Sequence, residues 1–147
     1  VRCHSAYRVP EDYTPREKRF ADLLRDADKI DIVKVNVIVP IEEIYNVTTY
    51  DLTHCSVTEE VLQAFYEEHC ILRNLKRTPV DNVVGHISLV YELVYPVSCQ
   101  IVQKQGYLHQ LMDFHSELSK TNEQFAKIRE KMEQYLKRKT MSATVQR

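Results

Sequence analysis

Only two glycines, Gly85 and Gly106, occur in the 147 residues. Glycine supplies the positive φ of tight hairpins and lets a backbone close around phosphate, so a chain this poor in it is directed toward helices. The helix signals are correspondingly strong. In "TPRE", Thr14 suits an N-cap, Pro15 the first helical position, and Glu17 completes a capping box. Phe20, Leu23, Leu24, Ala27, Ile30, Val37 and Ile38 fall on one broad stripe at about 100° per residue. Together these predict a helix from 15 to about 38 that buries the stripe and stops near Pro40.

Further along, "PIEEIY" reads as a short turn and residues 46–56 as a loop. Ser56-x-x-Glu59 forms a second capping box, and Val61, Leu62, Phe65 and Leu72 mark the buried side of the helix it opens. Thr78, Pro79 and Asp81 repeat the first device ahead of "VVGHISLVYELVY", which is apolar nearly all round and predicts a central buried helix. Pro96 starts another helix that Gly106 ends, and "YLHQLMDFH" is a short one. Thr121-x-x-Gln124 caps the last, where Phe125, Ile128, Met132 and Leu136 recur at helical spacing. The expectation is an all-α bundle of about six helices, a single domain over 1–138 with a frayed tail at 139–147.

A net charge of −1 offers nothing global to draw the chain to nucleic acid or to an anionic membrane. No apolar run approaches the roughly 20 residues that span a bilayer. "VRCHSAYRVP" has no signal-peptide core, so a cytoplasmic location is expected, with Cys3, Cys55, Cys70 and Cys99 as free thiols.

The first helix carries unusual carboxylates, in "LLRDADKIDI". With Phe20 at 0° on the helical wheel, Asp31 falls at about 20°, inside the apolar stripe; Asp28 at about 80°, on its flank; and Asp26 at about 240°, beyond the other flank. A carboxylate on a buried face costs several kcal/mol unless a cation, a metal or several donors compensate it. Asp28 and Asp31 stand three apart and share a side of the helix. Either they accept hydrogen bonds from a neighbouring helix or pair with Arg or Lys, or they belong to a site. Asp22 and Asp26, with Arg19, Arg25 and Lys29, read as a solvated face of helical ion pairs.

"LLRDADKIDI" resembles the late segment of the HD superfamily of metal-dependent phosphohydrolases, often R-D-A-D-K-L-D-I. "LRNLKRTPVDNVVGHISLVYELVYPVSCQIVQKQGYLHQLMDF" is similar to the C-terminal half of small bacterial HD proteins. The resemblance covers about residues 2 to 138. It implies an all-helical, HD-domain-like fold around a divalent metal ion (Mn, Fe, Ni, Zn or Mg). It maps the family's late Asp ligand onto Asp28, with Asp31 as a supporting carboxylate and Asp26 as the alternative. His4, in "RCHS", becomes a candidate for substrate phosphate or a second metal, and Lys29 and Arg25 for phosphate contact. The implied substrate is a phosphorylated small molecule such as a nucleotide.

The family's first His and His-Asp dyad have no counterpart here, and first-row ions take four to six ligands. The expectation is the C-terminal part of such an enzyme, inactive as a fragment, with the metal held by the intact protein and its absence from this chain as the alternative, and with homo-oligomers forming through exposed apolar faces. The alternative is a non-catalytic helical binding or oligomerisation module with a degenerate pocket. His54-Cys55 and His69-Cys70 lack zinc-ligand spacing, and His86 reads as a hydrogen-bonded core histidine.

Overall fold

The computed structural model describes residues 13–145, within which eight α-helices and no strand occur. Helix α1 (Pro15–Ile38) is capped as anticipated: the Thr14 hydroxyl accepts from the Glu17 N–H at 3.1 Å, and the Glu17 carboxylate accepts from the Thr14 N–H at 3.3 Å. The bundle is all-α, with more and shorter helices near its middle than expected. The 46–56 loop contains α3 (Thr49–Thr53), with its own Thr48–Asp51 capping box, and the preceding turn is α2 (Ile41–Tyr45).

Helix α4 spans only Glu59–Tyr66, and its N-cap is Thr58 rather than Ser56. The reason lies in α5 (Pro79–Ser88). The fully buried Asp81 carboxylate accepts from the Thr58 N–H at 2.8 Å and the Thr58 hydroxyl. It also accepts from the N–H groups of Arg77 and Thr78, while the Thr78 hydroxyl donates to the Ser56 carbonyl. One aspartate thus ties together the starts of two helices, and four donors offset its burial. Leu72, expected inside, is exposed.

Residues 83–90 are all buried, so α5 is the central element, but it passes into a 3-10 turn (Leu89–Glu92) instead of running on. Helix α6 (Pro96–Gln105) ends at Gly106, whose φ of 80° needs no Cβ to be accommodated, and α7 (Tyr107–Met112) begins there.

Helix α8 (Ser119–Val145) lies across α4, α6 and α7, burying Phe125, Ile128, Met132 and Leu136 as the spacing predicts, and stays helical beyond Lys139. Thr121 is not its cap. It is buried, its hydroxyl bonded to the Cys55 carbonyl, and Gln124 brackets the N–H and carbonyl of Val57. Lys131 and Arg138 hold Glu68, which has a positive φ, so the cationic end of α8 makes tertiary ion pairs. Cys55 and Cys99 are free thiols, with Cys99 pushed up to about 11 by burial; Cys70 departs from that expectation and is disulfide-bonded. No helix among the described residues is long and apolar enough to cross a membrane.

Candidate functional site

Helix α1 packs against α5, α6, α7 and the 3-10 turn with a face turned well away from the centre of its apolar stripe, of which only Ile30 and Val37, on one edge, are partly buried against the core. Asp22, Asp26, Lys29, Val33 and Asn36 are buried. Phe20 (63% exposed), Leu24 (56%), Leu23, Val35 and Ile38 lie on the outside, with Ala27. Asp22, Asp26 and Lys29 of the expected solvated face therefore anchor the helix while Arg19 stays exposed, and the stripe is free except at Ile30 and Val37.

Asp26 explains the inversion. Only 1% exposed, it accepts from the Val94 N–H at 2.9 Å, the Tyr95 N–H at 3.0 Å and the Ser98 hydroxyl at 2.6 Å. Tyr95 is the N-cap of α6, and no side chain of α6 caps that end. The first N–H groups of a helix have no partner within it, and the positive end of its dipole favours an anion. Asp26 supplies, from another helix, an acceptor for the N-cap N–H of Tyr95 and for the Val94 N–H just before it, and a negative charge at that end. Alongside it, Asp22 pairs with Lys18 at 3.0 Å and Arg25 at 3.8 Å.

The structure separates the sequence-predicted site residues. Asp28 and Asp31 are both exposed, on or beside the outward stripe; the expectation that Asp31 is buried is wrong because the stripe itself faces out. Asp26, the alternative ligand, lies on the buried face with its carboxylate engaged by three donors, apart from Asp28 and Asp31. Lys29 is buried on the inner side, its pKa lowered first by that burial and then by Arg25. Arg25 is drawn to Asp22, away from the outward face. His4 lies outside the described residues. No three His, Cys, Asp or Glu side chains are grouped to hold a metal among the described residues, so Asp28 and Asp31 alone do not complete an ion's coordination.

A second feature escaped the sequence reading. A cavity of about 420 Å³ opens between α2, the segment before α5, and α5 itself. Arg73, Lys76, Arg77, Tyr45 and His86 are among its lining residues. His86 is a core histidine bonded through Nε2 to the Tyr45 hydroxyl at 2.8 Å, as expected, yet its Nδ1 is buried with no hydrogen-bond partner among the described residues. Burial, and then the Lys76 charge, push its pKa down to about 4, so the ring is neutral at pH 7. The signal available in the sequence was "RNLKR" followed by the glycine of "VVGH", though only the fold brings the two segments together.

Comparison of the chain with protein-family models, curated proteins and solved structures finds no match.

Proposed function

We propose that this chain carries the late-aspartate part of a divalent-metal-dependent phosphohydrolase of HD type, acting on phosphate esters, nucleotides among them. One observation carries the reading: α1 is anchored by its polar face and turns an apolar stripe outward with Asp28 and Asp31 beside and within it. Carboxylates set into an uncovered apolar face fit one half of a site, the other half packing onto the stripe and bringing further ligands. Asp28 is the position that the resemblance assigns to the metal, and Asp31, one turn on, is its neighbour. Titration with Mn²⁺ followed by electron paramagnetic resonance tests this. Weak binding that falls severalfold in Asp28→Ala supports it; no binding, or binding unchanged by that substitution, overturns it.

The same stripe favours a second reading, a helical module that works by oligomerising. Contiguous exposed apolar side chains of this size are seldom left in water. Light scattering showing a mass that rises with concentration, and a monomer for the Phe20→Ser/Leu24→Ser double variant, would favour it. A wild-type monomer at every concentration would dismiss it.

A further inference from the structure

The cavity beside His86 is lined, among the described residues, by three cationic side chains and by no carboxylate. Among the described residues, Arg73, Lys76 and Arg77 form no ion pair. Asp81 does not line the cavity: its carboxylate is taken up by four donors, two of them the Arg77 and Thr78 N–H groups behind the cavity wall. Although its charge works to raise the Lys76 pKa, burial and Arg73 outweigh it. Like charges gathered in one recess repel each other, an arrangement that becomes favourable only with an anion between them.

Lys76 is the most telling of the three. It lies across α5 where residue 85 has no side chain: a Cβ there would stand 2.7 Å from its Cε and Nζ. Gly85 is therefore the gap that admits the ammonium, and burial, with Arg73 next, lowers the Lys76 pKa. Desolvating a cation without an ion-pair partner is costly, and a bound anion would reverse that cost. His86, 6% exposed, adds a second polar group at the same cavity whose Nδ1 has no hydrogen-bond partner among the described residues.

We propose that this cavity binds a phosphate group, free or as a phosphate ester, with Arg73, Lys76 and Arg77 as its counter-charges. Two guanidinium forks and an ammonium match the charge and the oxygens of a phosphate dianion better than a single carboxylate. A recess of about 420 Å³ suits a phosphate-bearing small molecule. A nucleic-acid strand would need an extended basic groove, which a chain of net charge −1 does not advertise. The site is independent of Asp28 and needs no metal.

The test is isothermal titration of the chain in chelator at low salt, with inorganic phosphate and separately with adenosine monophosphate. Expected is saturable one-to-one binding that weakens as salt rises. The Arg73→Gln/Lys76→Gln/Arg77→Gln variant should lose roughly tenfold or more in affinity. Gly85→Ala keeps all three charges and displaces only the flexible end of Lys76, so it too should weaken binding. Lys120→Gln/Lys127→Gln/Lys137→Gln, on the exposed side of α8, should bind as the wild type does. Tighter binding of the nucleotide, competed by phosphate, identifies an ester as the ligand; equal affinity identifies the free anion. Binding of neither probe, or equal binding by the cavity and α8 variants, overturns the proposal. Because the chelator removes metal, this outcome is separate from that of the Mn²⁺ titration.

Discussion

Asp26 and Asp28 stand two positions apart on one helix and occupy opposite environments. The first is sealed against the start of α6 by three donors; the second is in solvent beside Phe20, Leu24 and the rest of the stripe. Their separation of about 200° around the axis suffices to put them on different faces. The contrast shows that hydrophobic pattern is not the only thing that orients a helix. An uncapped helix end nearby presents N–H groups that must be satisfied, and a carboxylate that reaches them can hold the polar face inward. Once it does, the apolar face becomes a surface, which is the usual condition of a face that another element or chain covers.

The largest break in that comparison should come from removing buried acceptors. Asp81→Ala leaves four donors without their acceptor and should cost about 4 kcal/mol. Asp26→Ala leaves three and should cost about 3 kcal/mol, a fall in Tm of roughly 10 °C. Denaturant titration measures both. If Asp26→Ala costs no more than Asp28→Ala, the polar face does not anchor α1.

Next comes a buried group kept uncharged. The folded-state pKa of His86, about 4, lies below the ordinary 6.5, so between those values the unfolded chain binds the proton more readily. Stability should therefore be intact above pH 6.5 and decline as pH falls toward 4, by up to about 3 kcal/mol. Tyr45 and Lys76 face the ring, and the Lys76 charge deepens the effect. In His86→Gln the same acid titration should lack this component; an identical profile in both proteins would exclude His86 as its source.

The outer face should answer differently. Phe20→Ser/Leu24→Ser should leave monomer stability within about 1 kcal/mol, since both side chains are already exposed, and should change association instead. Smallest of all, Asp28→Ala and Asp31→Ala should each shift stability by no more than about 0.5 kcal/mol. A loss of several kcal/mol at Asp28 would mean that its surroundings are not those of an exposed residue.

Much of the fold was legible because its signals are local. The Thr14–Glu17 box spans three positions, Gly106 ends α6 by its own φ, and the α8 stripe repeats within one helix. The misread positions share a different property. Asp26 meets partners 68 to 72 residues away, Thr58 takes the place of Ser56 because Asp81 lies 23 residues on, and Thr121 turns to Cys55 across 66 positions. The candidate cavity has the same character, joining Tyr45 of α2 to Arg73 and His86.

The sequence by itself determined that this chain is helical and where most of its helices begin, because caps, prolines and scarce glycines act within a turn or two of where they stand. Only the tertiary structure decided which way α1 faces, which aspartates are buried, and which cations share a cavity. Those outcomes depend on which unsatisfied donors and charges the packing brings together, and no pattern along one helix encodes the needs of another.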